Sequence, residues 1–205
     1  MTGVQTCALP ISQALGRIPL DLSAADLIVS STHKWILASH GGGLVGVPAA
    51  AAERWNVPAG GWFNLHDPFG TERFDRAVSK PGAAGFTVGM PNYPAVYAIR
   101  AGLDYIRGVG IGVKAIDDAA RPVVEQCVAG LASLPVKLLT PPTAELAGIL
   151  AFRHPRADAI HQHLRAQNIH IMSHAGRLRV AIHGYNTPAD IDHLLRELTT
   201  ALRDV

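Results

Sequence analysis

Excess charge of one sign, long apolar runs and cysteine are all scarce in this sequence of 205 residues. Lysine and arginine together number 18 and the acidic residues number 16, so the formal net charge is only +2. A protein that binds nucleic acid or an anionic membrane surface normally carries a larger positive excess. No apolar run approaches the roughly 20 residues that cross a bilayer. We therefore expect neither a nucleic-acid partner nor a membrane partner.

The two cysteines, Cys7 and Cys127, are interpreted differently. Residues 2–11 (TGVQTCALPI) show a period of neither 2 nor 3.6, and they resemble the translation of a common sequencing adaptor. We therefore treat residues 1–11 as an artefact, which leaves the natural N-terminus and its targeting open. Cys127 is then the only cysteine, and it cannot form an internal disulfide. This favours a cytoplasmic protein.

The first half of the chain carries the signals of an α/β unit. Residues 26–30 form an apolar run that predicts a buried strand, and residues 44–47 predict a second strand after a turn of three glycines. Residues 56–92 are rich in glycine, proline and aromatic residues without periodicity, which indicates a long loop. Apolar residues then recur at helical spacing from Val96 to Ile106.

A second, smaller unit is predicted from residue 113 to the end, with helices on one face of a small sheet. Its final helix has a strong start signal, because Thr187 is a good N-cap, Pro188 suits the first helical position and Asp190 follows three residues after the cap. The predicted elements are a helix at 116–134, strands at 136–139 and 148–152, a helix at 157–164, strands at 169–172 and 178–182, and a helix at 187–202.

The chain has four lysines, Lys34, Lys80, Lys114 and Lys137. Lys34 is the only one that directly follows a predicted buried strand. The residues before it, 31–33 (STH), can donate hydrogen bonds to a phosphate. A lysine in such a place can attack a carbonyl carbon as a covalent nucleophile. The local pattern taken alone favours a different interpretation, a surface lysine in a polar turn.

Three groups of residues, in this order, resemble motifs of the class V aminotransferase and cysteine desulfurase family of pyridoxal-phosphate (PLP) enzymes. Residues 13–22 (QALGRIPLDL) and 26–47 (DLIVSSTHKWILASHGGGLVGV) resemble the cofactor-lysine region, with its Ser-x-His-Lys before a glycine turn. Residues 86–92 (FTVGMPN) resemble the family's Phe-x-x-Gly-Thr-Pro-Asn. Residues 176–192 (GRLRVAIHGYNTPADID) resemble its Arg-x-Ser-x-x-x-Tyr-Asn-Thr segment.

The resemblance implies roles for individual residues. Lys34 would carry pyridoxal 5′-phosphate as an internal aldimine. Ser31 and His33 would contact the phosphate, and Gln13 would hydrogen-bond the oxygen of the ring hydroxyl. Arg179 would bind the substrate carboxylate, a bidentate task that suits a guanidinium group.

The resemblance also implies the architecture and the reaction class. The expected fold is α/β, the PLP-dependent transferase fold type I, with a remnant of the large domain at 12–112 and a C-terminal α+β small domain at 113–205. The parent protein would be a homodimeric enzyme that acts on an amino acid through an external aldimine, with lyase, epimerase or aminotransferase chemistry. The chain as written is expected to be inactive. The alternative is a non-catalytic fragment or family member that keeps the fold without this chemistry.

Two departures from the family pattern bear on the chemistry. Met90 stands where the family usually has threonine, a phosphate ligand supplied by the partner subunit, and methionine cannot donate a hydrogen bond. The loop before Arg179, residues 173–176 (SHAG), lacks the nucleophilic cysteine of cysteine desulfurases. Cys127 lies on the apolar stripe of a predicted helix, where an inert thiol is expected. The loop is more similar to the isopenicillin N epimerase and carbon–sulfur lyase branch, so persulfide chemistry is not expected.

The histidines do not predict a metal site. His161 and His163 are two residues apart on a predicted helix and therefore face different ways. No cysteine cluster lies near them in the sequence, so we expect no metal ion. The glycines in residues 41–46 match the letters of a dinucleotide-binding fingerprint, but they do not open a helix directly after a strand.

One prediction concerns position 10. In the family, an aspartate that pairs with the pyridine nitrogen precedes the glutamine by three residues, and this position is Pro10 here. We expect the authentic gene to encode aspartate, because a nearby carboxylate favours protonation of the ring nitrogen. Sequencing the source DNA upstream of Ser12 tests this expectation. A genomic read that reproduces residues 1–11 unchanged would show that it is wrong.

Overall fold

The structure, a computed structural model, describes residues 8–58, 60–73, 75–108, 112–141 and 146–203. The chain forms two compact units, of which the first ends at Val113 and the second begins at Lys114. Residues 1–7, the first part of the adaptor-like segment with its Cys7, lie outside the described residues. The exclusion of residues 1–11 and the assignment of the two units to a large and a small domain stay predictions.

The first unit contains a three-stranded sheet in the order β1-β2-β3. Its central strand, β2 (Leu27–Ser31), is the predicted apolar run. β3 (Gly43–Gly46) pairs antiparallel with β2, as the glycine turn between them requires. β1 (Ala8–Pro10) pairs parallel with β2 on the other side. This strand was not predicted, because it lies in the segment interpreted as adaptor-like.

The prediction that β2 is buried is wrong for most of the strand. Ser30 is its only buried residue, and Val29 is 40% exposed. Strands of parallel α/β sheets are buried because helices cover both faces of the sheet. Within the described part of the first unit, α1 (Tyr93–Gly108) is the single complete α-helix, and it cannot cover both faces. The sequence pattern predicted the strand correctly but not its surroundings.

The predicted long loop at 56–92 is confirmed for most of its length. Among its described residues, which omit 59 and 74, the regular structure consists of a 3₁₀ helix, Gly82–Phe86, and an isolated bridge between Leu65 and Ser79. The alanine run before the loop forms another 3₁₀ helix, Ala49–Arg54. α1 begins directly after the loop and confirms the helix predicted from apolar spacing.

The second unit contains a four-stranded antiparallel sheet in the order β4-β5-β7-β6. The strands are β4 (Lys137–Leu138), β5 (Ile149–Arg153), β6 (Met172–His174) and β7 (Arg177–Ala181). The helices are α2 (Gly112–Ala132), α3 (Ala157–Ala166) and α4 (Pro188–Arg203), as the apolar periodicity predicted. None of the described helices combines the length and the apolar character that crossing a membrane requires.

The core of the second unit lies between the sheet and its helices. Alternate residues of the central strands, Leu150, Phe152 and Leu178, are completely buried. Because side chains alternate along a strand, the residues between them lie on the opposite face of the sheet. The helices contribute Val123, Val124, Cys127, Val128, Leu131, Ala157, Ile160, Leu164, Ile191, Leu194, Leu198 and Ala201 to the same core.

The strand predicted at 169–172 is wrong in position, because β6 covers Met172–His174 instead. The cause is a two-residue hairpin turn, in which Ala175 and Gly176 have φ angles of 49° and 70°. Pairing therefore continues to the residues next to this turn, so that His174 lies opposite Arg177. The loop predicted at 173–176 is reduced to its last two residues.

Leu178→Ala should lower the free energy of unfolding of the second unit by about 2–5 kcal/mol, because the fully buried side chain would leave a cavity. Native-state hydrogen exchange of the β5 and β7 amides measures this loss. Leu139→Ala is the control, since its side chain is 37% exposed and should cost clearly less. Equal losses in the two variants would contradict the assignment of Leu178 to the core.

Candidate functional site

The turn that follows β2 contains Lys34. Two backbone hydrogen bonds close this turn: Ala38 N–H donates to the Thr32 carbonyl and Leu37 N–H to the Lys34 carbonyl, each at 3.0 Å. Leu37 has a φ of 60°, a left-handed conformation uncommon for leucine, and it turns the chain back toward β3. The Lys34 side chain is half-buried, and its Nζ has no hydrogen bond or ion pair with any described residue.

His33 stacks on His40, with ring centroids 3.9 Å apart and an interplanar angle of 18°. Partial burial, followed by the positive charges of His40 and Lys34, lowers the pKa of His33 below its ordinary value. His33 is therefore neutral near pH 7 and offers one N–H donor. The stack restrains the His33 ring, and therefore this N–H donor, in the residue next to Lys34.

Residues 11–13 lie against the end of β2. Ser31 N–H donates to Ser12 Oγ at 2.8 Å, and Ile11 N–H donates to the Val29 carbonyl at 3.0 Å. These bonds place the half-buried Gln13 one residue from the contact with Ser31. The side chains of Gln13 and Ser31 form no hydrogen bond with the residues that the structure describes.

Arg17 lies in the segment that follows Gln13, and it was not predicted from the sequence to take part in this site. It is completely buried, and its guanidinium carbon lies 5.2 Å from the centre of the Trp35 ring, within the range of a cation–π contact. The contact joins the segment after Gln13 to the residue after Lys34. Local periodicity carries no signal for it, because the two partners lie in separate segments.

α1 packs directly on the lysine turn. A Cβ atom at Gly102 would lie 2.1 Å from the Ile36 carbonyl oxygen, so only glycine permits this approach. At the other end of the turn, a Cβ atom at Gly42 would lie 2.6 Å from the Thr32 hydroxyl, which is completely buried. One close contact on each side of Lys34 therefore restrains the turn, through the Thr32 side chain and the Ile36 backbone.

The segment 86–92 leads into α1 and ends at its N-cap. Asn92 Oδ1 accepts a hydrogen bond from Ala95 N–H at 3.2 Å, which satisfies one of the free donors at the start of the helix. Met90, which stands where the resemblance implies threonine, is 72% exposed and has no donor to offer. The segment thus keeps its structural role in starting α1.

Lys80 has structural partners, in contrast to Lys34. Its Nζ donates to the Phe63 carbonyl at 2.7 Å, and its N–H donates to the Asn64 carbonyl. Asn64 is completely buried, and its side-chain amide donates to the Gly85 carbonyl at 3.1 Å. These bonds join separate parts of the long loop, so both Lys80 and Asn64 have structural roles.

Arg179 lies in the second unit, on the central strand β7. Its register partners are Ala151 on β5 and Met172 on β6, and it lies on the face of the sheet opposite the helices. Its Nε atom is buried and has no hydrogen-bond partner among the described residues. Buried donors are normally satisfied, so this one indicates a place where a ligand oxygen would be stabilised.

The turn between β7 and α4 is closely hydrogen-bonded. Asn186 Oδ1 accepts from His183 N–H at 2.8 Å, and Thr187 N–H donates to Asp190 Oδ2 at 2.7 Å. The reciprocal bond, from Asp190 N–H to Thr187 Oγ1 at 3.4 Å, completes a capping box. The predicted N-cap is therefore confirmed, and it fixes the end of β7 that follows Arg179.

Cys127 is completely buried in α2, and burial raises the pKa of its thiol to about 12. The prediction of an inert thiol is therefore confirmed. The two histidines of α3 have protein partners as well. His161 Nε2 lies 3.1 Å from the Ile171 carbonyl oxygen, and His163 Nε2 lies 3.2 Å from Glu197 Oε2.

The predicted site residues thus fall into two places. Gln13, Ser31, His33 and Lys34 lie at one corner of the first unit, where residues 11–13 meet the end of β2. Arg179 lies on the face of the second unit's sheet that is opposite the helices, which we call the open face. Their roles toward a cofactor and a substrate stay predictions.

Comparison with known sequences identifies a family. The family profile described as aminotransferase class-V matches residues 7–194. An uncharacterized aminotransferase of Bacillus subtilis strain 168, YcbU, is 27% identical over 188 residues, which are 91% of this chain and 49% of YcbU. The chain spans about half the length of this relative.

Solved structures show the same architecture. The apo cysteine desulfurase of Thermococcus onnurineus NA1 has a TM-score of 0.79 and 18% identity, covering 98% of this chain and 53% of the desulfurase. The cystine C–S lyase C-DES, solved with its product cysteine persulfide, has a TM-score of 0.69 and 26% identity, covering 91% and 50%. A C-DES mutant was solved with glycine covalently linked to its PLP cofactor. The predicted α/β architecture of fold type I, present in part, is therefore confirmed.

Asp190→Asn should lower the melting temperature at neutral pH, and this effect should shrink as the pH falls below the unfolded-state pKa of about 3.9. The N–H and hydroxyl of Thr187 lower the native pKa of Asp190. The carboxylate therefore stabilises the fold above its unfolded-state pKa of about 3.9, and this contribution is lost as the pH falls through the lowered native pKa.

Thermal unfolding between about pH 2 and pH 7 measures the difference between the two proteins. Glu125→Gln is the matched control, because Glu125 is exposed on α2 and has no partner among the described residues. If the Asp190→Asn effect were the same at every pH, the charge would not be the stabilising feature of the cap.

Proposed function

Since the chain belongs to the aminotransferase class-V family, we propose that its whole protein is a pyridoxal-phosphate enzyme that acts on an amino acid. The observation that carries the proposal is the free Nζ of Lys34, at the corner where Gln13, Ser31 and His33 also lie. The relative C-DES, whose structure contains the PLP cofactor linked to an amino acid, supports it.

The side chains at this corner suit a phosphorylated pyridine ring. The Ser31 hydroxyl and the His33 N–H can both donate to phosphate oxygens, and the Gln13 amide can donate to a ring oxygen. The side-chain hydrogen-bonding groups of Gln13 and Ser31 are unused within the described chain. The amine of Lys34 can attack an aldehyde carbon once it is unprotonated. A neutral His33 keeps a further positive charge away from that amine.

Pyridoxal phosphate, when bound, supplies a ring that withdraws electrons from the α carbon of an amino acid. Lys34 has two tasks in this proposal, because it holds the cofactor and its amine moves the proton at the α carbon of the substrate. Elimination, epimerisation and transamination all begin with the removal of this proton. Lyase, epimerase and aminotransferase chemistry therefore remain alternatives within the proposal.

Arg179 binds the substrate carboxylate in this proposal. Its guanidinium can form two parallel hydrogen bonds to one carboxylate, and its buried Nε lacks a partner within the described residues. C-DES acts as a cystine C–S lyase, which favours the lyase alternative. Cysteine persulfide formation on a protein thiol is not part of the proposal, because Cys127 is buried in α2.

A second candidate function is a protein that keeps the fold without the chemistry. The observation in its favour is Met90, which is 72% exposed and has no hydrogen-bond donor where the family resemblance implies a phosphate ligand. In either case we propose a homodimer for the whole protein, as the resemblance implies. Cofactor binding distinguishes the two candidates.

In the protein expressed from its complete gene, Lys34→Ala should abolish covalent attachment of pyridoxal phosphate. The amine of Lys34 is the only group that the proposal gives this role. The measurement is borohydride reduction after addition of the cofactor, followed by mass spectrometry of the labelled peptide. The protein without the substitution should carry the label on Lys34.

Lys80→Ala is the matched control and should keep the label, because Lys80 Nζ is occupied by the Phe63 carbonyl. A label on Lys80, or a label that survives Lys34→Ala, would show that the wrong lysine was chosen. A protein that binds no cofactor at all would favour the second candidate.

A further inference from the structure

The open face of the sheet in the second unit carries a row of basic residues across all four strands. Lys137 on β4 lies opposite Arg153 on β5, and Arg153 lies opposite Arg177 on β7. Arg177 in turn lies opposite His174 on β6. Residues that are directly opposite each other point to the same face, with Cβ atoms about 4.5–5.5 Å apart. We call these four residues the basic row.

The basic row has no compensating negative charge in the part of the chain that the structure describes. All four side chains are exposed, and none of them has an ion pair with a described residue. Some exposed cations elsewhere in the second unit are paired, as Lys114 is with Asp118 at 2.6 Å. Like charges placed directly opposite each other on a sheet are destabilising. An arrangement that costs stability without a partner indicates that an anion binds there.

Arg179 extends the basic row along β7. It lies two residues from Arg177, on the same face and at a distance of about 6.5 Å along the strand. Met172 and Ala151, its register partners, flank it on the two neighbouring strands. Met172 is 44% exposed, so it offers an apolar surface beside the two guanidinium groups. Two separate anionic groups joined by a short carbon chain would match this surface.

We propose that the substrate is an amino acid with an anionic side chain, and that the basic row binds this second anionic group. The inference rests on the proposed function, in which Arg179 binds the α-carboxylate. Arg177 and Arg153 then bind a carboxylate or a phosphate on the side chain, with methylene groups lying against Met172. Arginine suits both kinds of anion, because its planar donors match carboxylate and phosphate oxygens. A neutral side chain would leave the basic row unpaired.

The test measures amino-acid binding to the 205-residue chain by NMR of its arginine Nε–H groups, at constant ionic strength. L-glutamate and L-glutamine are a matched pair, because they differ in the charge of one group. O-phospho-L-serine and L-serine form the second pair, which separates phosphate from carboxylate preference. We expect at least one acidic member to bind about tenfold more tightly than its neutral partner, the effect of one charge-assisted hydrogen bond.

Arg177→Gln and Arg153→Gln should each reduce this preference, and the double variant should abolish it. Arg165→Gln should keep it, because Arg165 is exposed on α3, which packs on the opposite face of the sheet. Arg177→Gln should also raise the melting temperature of the free chain, because it removes repulsion within the basic row. This second readout shows that the variant is folded.

Two outcomes would overturn the inference: no saturable binding of either acidic amino acid, or a preference that survives in the double variant. Arg179→Lys separates this inference from the proposed function. This substitution should weaken the binding of acidic and neutral amino acids alike, since both have an α-carboxylate. Suppose that Arg179→Lys changed the affinity for neither class of amino acid while the preference for acidic ones still depended on Arg177. In that case the role proposed for Arg179 would be wrong and the anion site would stand.

Discussion

The close packing of α1 on the lysine turn is the constraint on which the candidate site of the first unit depends. The strands beside the turn are short and partly exposed, so pairing alone holds it weakly. The backbone of α1 at Gly102 lies against the Ile36 carbonyl, and any larger residue would separate helix and turn. Asn92 caps α1 ten residues earlier, just under three helical turns, so the cap also determines which residue meets the turn.

Much of the fold could be predicted from the sequence, because its signals are local. The helices α1 to α4 follow apolar spacing, and the start of α4 follows from its capping residues. β6 was misplaced because its position depends on the hairpin turn at Ala175 and Gly176 rather than on an apolar run. The predicted burial of β2 is wrong for a similar reason, because the burial of a strand depends on what covers it.

The candidate site was only partly predictable. The local pattern around Lys34 favours a surface lysine in a polar turn, and only the family resemblance implies a role for it and for Gln13, Ser31 and His33. The residues that hold this corner together gave no signal. Arg17 meets Trp35, and the Thr32 hydroxyl is buried against Gly42, through contacts between separate segments. A buried arginine or threonine has the same local sequence pattern as an exposed one, so only the tertiary structure distinguishes them.

The basic row shows that a chain with a small net charge can still concentrate positive charge on one face of a sheet. Lys137, Arg153 and Arg177 are far apart in the sequence, and strand register alone brings them side by side. β6 lies further along the chain than predicted, and this position places His174 at the end of the same row. Along β7, Leu178 faces the core while Arg177 and Arg179 face outward. Outward residues can therefore change without disturbing the core, and the role proposed for this sheet face in substrate preference requires this freedom.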